Sequence, residues 1–327
     1  MIITQTPLRI SLAGGGTDFP DYYEQREGYV VSAAIDKAVF VIVTARYDDK
    51  IYINYSHKEI VESVDEIRHE LVREAMRLTG VTKGVEITLL SDIPSEGTGL
   101  GSSSSFTVGL LNALHLYQGE QVGLAQLAEE ACEVELCRCG KPIGKQDQYI
   151  AVFGGVAAFR FQRNGRVEVT RLGLSDRQLR RLSANLFLFY TNQTRKAENI
   201  LRAQKNRTSA NLHFLDAIKE LAFEVRDALH GGDFDRIGRV LDKNWRMKKQ
   251  LAAGISNGRI DGMHALAMRA GATGGKLCGA GGGGFLMVYC PPSAHDRLLR
   301  GMAEYREMPF LVEPSGSKAI FNYRRFS

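Results

Sequence analysis

Apolar positions alternate near the start of the chain. Leu8, Ile10 and Leu12 flank Arg9 and Ser11, which is the period of a strand with one buried face. Strand-like runs follow at 29–35, 38–46, 50–55 and 84–90. The period then lengthens. Residues 102–117 and 123–139 carry apolar positions at helical spacing, with Leu124, Leu127, Ala131 and Glu135 on one stripe of the second segment. Asn164-Gly165, set between 156–162 and 166–172, predicts a hairpin, and 186–190 reads as a further strand. From about 196 to 270 helical patterns dominate, broken at Gly231-Gly232. A strand at 285–289, a helix after Pro291-Pro292 and two short strands complete the chain. Strands followed by helices, without strict alternation, predict an α+β fold. The change of texture places a boundary near 190, giving parts 1–190 and 191–327 that share an interface.

Composition narrows the function. The 327 residues are 44% apolar and 24% charged, which suits a globular chain of about two domains. A net charge of +5, spread without a basic run interleaved with aromatics, fits anionic small molecules and gives no reason to expect nucleic acid. The first residues lack the charged-then-apolar order of a signal peptide. The most apolar run, Ala38 to Ala45, is far short of the ~20 residues that span a bilayer. The expectation is a cytoplasmic protein with no membrane partner. Five cysteines, an odd count, with Cys137 and Cys139 lacking a second pair at zinc spacing, read as reduced thiols.

Candidate chemistry gathers at glycines. In SEGTGLGSSSS (95–105), Gly97, Gly99 and Gly101 alternate and then run into Ser102, Ser103 and Ser104 at the mouth of an apolar helix. The first amides of a helix lack intrahelical partners and the dipole favours anions there, so the segment is suited to cradling phosphate. Its hydroxyls can cap, donate to phosphate or bind a hard cation; a flexible turn with serine caps is the plainer alternative. It is not a Walker A loop, because no lysine follows Gly101. The run GAGGGG (279–284) spells G-x-G-x-x-G but precedes a strand, the wrong context for a dinucleotide fingerprint. Glu135 is a carboxylate on an apolar stripe, costly unless paired or bound to a cation, and Mg²⁺ needs few protein carboxylates. Asp147 reads equally as a helix-start acid or a catalytic group. In AGGGTD (13–18), Gly15 and Gly16 bring backbone close to a ligand or a turn, and Thr17 and Asp18 offer groups for sugar hydroxyls or for a local cap.

These segments together resemble the GHMP kinase family: PLRISLAGGGTD (7–18), IPSEGTGLGSSSS (93–105) and KLCGAGGGG (276–284) match its three motifs in order, over nearly the whole chain. The resemblance implies an N-terminal ribosomal-protein S5-like domain, a ferredoxin-like C-terminal domain, and phosphoryl transfer from ATP. GGGTD, GKQDQYIAVFGG (144–155), YTNQTRKAENI (190–200) and NWRMKKQL (244–251) further resemble the bacterial branch acting on D-glycero-D-manno-heptose 7-phosphate. That branch phosphorylates the anomeric hydroxyl for nucleotide-activated heptose synthesis. Carried over, Gly97, Gly99, Gly101, Ser102, Ser103 and Ser104 would hold ATP, with Ser103 and Glu135 on Mg²⁺. Asp147 would lie beside the acceptor hydroxyl with Arg9 as its basic partner. Gly15, Gly16, Thr17 and Asp18 would bind sugar hydroxyls, and Gly281 and Gly282 would close over the transferring phosphate. Arg195 and Lys248 are candidates for the sugar's existing phosphate, or plain surface charges. The family also admits a fucokinase-like enzyme on a free sugar, a binding module without catalysis, and a homodimer.

Overall fold

The computed structural model describes residues 1–94, 97–194 and 197–323. Its larger sheet has eight strands: β1 (Ile2–Ala13), β2 (Gly28–Ala45), β3 (Ile51–Asn54), β4 (Lys58–Val61), β5 (Val85–Ser91), β6 (Val156–Phe161), β7 (Val167–Arg171) and, from the chain end, β11. Strand β11 (Lys318–Asn322) lies against β1, the order continues β2-β5-β3-β4, and β6 with β7 branches from β2. The smaller sheet runs β8 (Leu186–Tyr190), β10 (Phe285–Tyr289), β9 (Gly274–Leu277).

Helices α1 (Pro20–Arg26), α2 (Glu70–Thr79), α3 (Ser102–Gln118), α4 (Leu124–Cys132), α5 (Gln146–Phe153) and α6 (Asp176–Asn185) belong to the first half. Helices α7 (Ala197–Asn206), α8 (Leu212–Gly231), α9 (Phe234–Lys248), α10 (Gly258–Arg269) and α11 (His295–Gly301) belong to the second. One apolar core lies between the large sheet, α3 to α5 and parts of α8 and α9; another lies between the small sheet, α9 and α10. None of the described helices is long and apolar enough to cross a membrane.

The runs 29–35 and 38–46 are one strand. Register slips where Leu8 faces Ile35 and Pro7 faces Ala38, leaving Asp36 and Lys37 as an insertion. Proline has no N–H to give the ladder, so the irregularity falls where pairing is already lost. The boundary near 190 does not divide the sheets: β8, before it, pairs in the small sheet, and β11, long after it, returns to the large one. The predicted helix 123–139 ends its α-helical part at Cys132 and continues as a π-helical turn, Glu133–Arg138. Among the described residues only β11 forms of the two final strands, the preceding segment making isolated bridges.

Helix α3 crosses the large sheet from its glycine loop. Gly101 and Gly119 adopt left-handed conformations at its two ends, and it is buried over most of its circumference. A helix apolar all round belongs in a core. Its N-terminus, at the loop, carries no side-chain cap.

Candidate active site

A cleft of about 220 Å³ opens at that N-terminus. Ser102, Ser103 and Ser104 line it from α3, Arg9 and Ser11 from β1, and Asp147 from the first turn of α5. Gly15 and Gly16, the 97–101 segment and the 279–283 segment form its rims.

Arg9 and Asp147 meet in a two-pronged ion pair. Arg9 Nε donates to Asp147 Oδ1 at 2.7 Å and Nη2 donates to Oδ2 at 2.5 Å. Arg9 Nη1 donates to the Gly99 carbonyl at 2.6 Å, which fastens the glycine loop to the same guanidinium. Burial works against the Arg9 charge; the Asp147 carboxylate outweighs it and holds the guanidinium above its usual value. Three bonds fix the plane of Arg9, so the Asp147 carboxylate sits in one orientation at the cleft wall.

Glu135 is wholly buried, at 0% exposure. Ser103 Oγ donates to its Oε1 at 2.8 Å and Gln148 Nε2 donates to its Oε2 at 2.6 Å. Burial pushes this carboxyl above the usual range despite those bonds. Gln148 Oε1 is also buried and has no hydrogen-bond partner. A buried carboxylate, a hydroxyl and an unpartnered amide oxygen are the hard donors that Mg²⁺ takes, so these residues fit that ion. The π-helical turn carries Glu135, as such turns do at many functional sites.

The glycine loops turn out to be cut to fit each other. A Cβ on Gly99 would lie 2.6 Å from the Cys278 carbonyl oxygen, and one on Gly279 would lie 2.5 Å from the Gly99 Cα. A Cβ on Gly284 would lie 2.4 Å from the Thr98 oxygen. The two motifs therefore stack backbone on backbone, which the reading of glycines as room for phosphate alone did not foresee. Gly99→Ala is expected to cost about 3 kcal/mol of stability, through overpacking and a strained positive φ of +75°. A melting curve checks this, and the KM for ATP should rise with it.

Other expected residues divide. Gly15, Gly16, Gly97, Gly101 and Gly281 line the cleft. Thr17 does not: its hydroxyl donates to the Gly14 carbonyl at 2.8 Å and accepts from Tyr29 N–H at 3.1 Å. With donor and acceptor both used in closing the 14–17 turn, it has little left for a sugar. The Gly282 amide likewise is turned away, donating to the Ile255 carbonyl at 2.8 Å. Asp18 lines the cleft with its carboxylate already engaged, Oδ1 accepting from Gly16 N–H at 2.8 Å and Oδ2 from Gln146 N–H at 3.2 Å. Asp18 thus holds the start of α5, and with it Asp147. Arg195 lies outside the described residues. Lys248 is no surface charge: it ends α9 at 8% exposure, inside this same cleft and not in a separate pocket.

Sequence reasoning passed over Ser11, Asn244 and Lys276. Ser11 Oγ is buried in the cleft wall without a partner. Lys276 interrupts the otherwise uncharged, fully buried strand β9, and Asn244 lies one turn before Lys248 on α9. A lysine between GG and LCG was a visible signal.

Comparison with known proteins now adds what geometry leaves open. Residues 54–155 match the GHMP kinases N terminal domain and residues 225–307 the GHMP kinases C terminal domain. Over 92% of this chain and 93% of the other, it is 34% identical to the D-glycero-alpha-D-manno-heptose 7-phosphate kinase of Campylobacter jejuni. The chain belongs to the GHMP kinase family. As a member of it, the protein is a phosphotransferase with an alcohol group as acceptor, a sugar kinase, and its α+β architecture is that of the family. It is also 29% identical, over 93% of its length, to part of the L-fucokinase/L-fucose-1-P guanylyltransferase of Bacteroides fragilis, covering 36% of that protein. Among solved structures, a D-glycero-D-manno-heptose 1-phosphate kinase from Bacteroides thetaiotaomicron superposes with a TM-score of 0.82 at 25% identity, each chain covered in full at 100%.

Proposed function

We propose that this kinase transfers the γ-phosphoryl group of ATP to the anomeric hydroxyl of D-glycero-D-manno-heptose 7-phosphate, giving the 1,7-bisphosphate. The observation that carries the reading is the Arg9–Asp147 pair set at the uncapped start of α3, in a chain 34% identical to a heptose 7-phosphate kinase. The amides and hydroxyls of Ser102 to Ser104 hold the donor's phosphates. Asp147 orients the anomeric hydroxyl and accepts its proton as the new oxygen–phosphorus bond forms. The bond from the γ-phosphorus to the bridging oxygen breaks, and that oxygen leaves on ADP. Arg9 keeps the carboxylate aimed. Ser103 and Glu135 would hold Mg²⁺, which when bound supplies charge neutralisation on the phosphate oxygens. Positioning and charge are most of what phosphoryl transfer asks of a protein.

The names of the two heptose kinases place the phosphate on different carbons, and the fucokinase relative is named for a sugar without one. An ADP-release screen over heptose 7-phosphate, hexose phosphates and the free sugars separates these readings. Heptose 7-phosphate should give the highest kcat/KM, and NMR of its product should show a phosphorylated anomeric carbon. A preference for free L-fucose or another unphosphorylated sugar by about tenfold or more would replace the proposal with the fucokinase-like reading.

A further inference from the structure

Two buried lysines of the cleft have no ion-pair partner among the described residues, and only Lys248 feels carboxylates at a distance, those of Asp147 and Asp18. Lys276 is 3% exposed and Lys248 8%. Lys276 Nζ donates to Asn244 Oδ1 at 3.1 Å and to the Leu12 carbonyl at 3.3 Å. Lys248 Nζ donates to the Gly279 carbonyl and, at 3.4 Å, to that of Leu277. All four acceptors are neutral, and among the described residues neither amine forms an ion pair. An ammonium carries three donors, so each lysine keeps one N–H uncommitted. Each lies among further positive charge, since Lys248, Lys276 and Arg9 are near enough to repel one another.

Desolvating an unpaired charge is expensive, and a fold keeps such groups when a ligand supplies the partner. Burial pushes Lys248 down to about 8 and Lys276 down as well, and a bound anion would oppose that shift. The bonds of Lys276 set this amine apart from the glycine loop that leads into α3. None of the bonds of Lys276 goes to residues 97–104; they go to the end of β1 and to α9.

We infer that Lys276 and Lys248, with Asn244 setting the first and Ser11 lining the same cleft, form an anion site for the phosphate already carried by the acceptor sugar. The inference rests on the proposed function in taking a phosphorylated acceptor, and it assigns the selection for that phosphate to buried lysines of α9 and β9. Lys276 is then a specificity residue that touches substrate away from the reacting atoms.

The test compares wild type with Lys276→Met, using one sugar phosphate and the same sugar without its phosphate. The variant should lose about 50-fold or more in kcat/KM on the phosphorylated acceptor, chiefly through KM, and stay within about threefold on the free sugar and in KM for ATP. Equal losses on both acceptors, or a loss appearing mainly in KM for ATP, overturn the inference. Thermal melts give a second readout that needs no turnover. Inorganic phosphate should raise the melting temperature of wild type and raise it much less in Lys276→Met, each shift being taken against the same protein without ligand. A phosphate shift of equal size in both proteins overturns the site. If Lys276→Met fails to fold, Lys248→Met carries the same two comparisons. Should wild type prefer free sugars, the proposed acceptor fails, yet a phosphate shift lost in the variant would still support an anion site at these lysines.

Discussion

Asp147→Asn should lower kcat by about 10³-fold while leaving the KM for ATP within about threefold. The amide keeps the size of the side chain and one oxygen, and loses the capacity to take a proton. It also breaks the geometry on which Asp147 relies. Arg9 presents Nε–H and Nη2–H in parallel to the two carboxylate oxygens at 2.7 and 2.5 Å. An asparagine returns an acceptor to one of these and a donor to the other, so the Arg9 fork is half unsatisfied in a buried place. A stability loss on the order of 2 kcal/mol should accompany the catalytic one. Because Arg9 also holds the Gly99 carbonyl, Arg9→Ala should raise the KM for ATP, an effect that Asp147→Asn lacks. Initial rates over a range of ATP concentrations distinguish the two. A kcat for Asp147→Asn within about threefold of wild type would remove Asp147 from the acceptor hydroxyl.

Much of this site was written locally enough to be read from the chain. The three motifs that carry Arg9, Ser103 and the 279–283 loop each mark their place by runs of glycine, and in the second the glycines alternate into a helix start, a pattern with few purposes. The strands were visible from their apolar runs, although β1, the first half of β2, and β10 are buried on both faces and Arg9 and Ser11, read as the polar face of β1, lie inside. What stayed hidden depends on which segments meet. The mutual contact of Gly99 with Gly279 is a property of two loops far apart in sequence, and no local pattern announces it. Thr17 and Ser11 show the same limit from opposite sides: a hydroxyl in a glycine turn invited a ligand and was spent on backbone, while a hydroxyl on a strand read as an outward-facing position and is buried at the cleft. Helix α5 is short and its N-terminal support comes from Asp18, distant in the chain, so Asp147 alone read as ambiguous. Lys248 was ambiguous for a related reason, since a helix-end lysine and a buried anion ligand have the same local spelling.

The largest effect outside the Arg9–Asp147 pair is expected at Glu135. Glu135→Gln should reduce kcat/KM by about 10²-fold at fixed Mg²⁺ and move the Mg²⁺ concentration for half-maximal rate upward by about tenfold or more. The carboxylate is wholly buried, yet among the described residues it is held by the Ser103 hydroxyl and the amide of Gln148 without an ion pair, the Lys141 charge acting on it only from a distance. Hydrogen bonds of that kind reduce the cost of burying a carboxylate without supplying a counter-charge. A divalent cation would supply one, and the unpartnered Gln148 oxygen stands beside it to share the load. The glutamine variant keeps the volume and a hydrogen-bond acceptor, so the ligand-free protein should melt as high as wild type or higher. The stabilisation that Mg²⁺ with ATP confers on wild type should shrink in the variant, whereas that from ATP in a chelating buffer should remain. If both stabilisations survive and the Mg²⁺ requirement does not move, Glu135 serves only to anchor Ser103 at the start of α3, and the metal is held by the nucleotide and other groups.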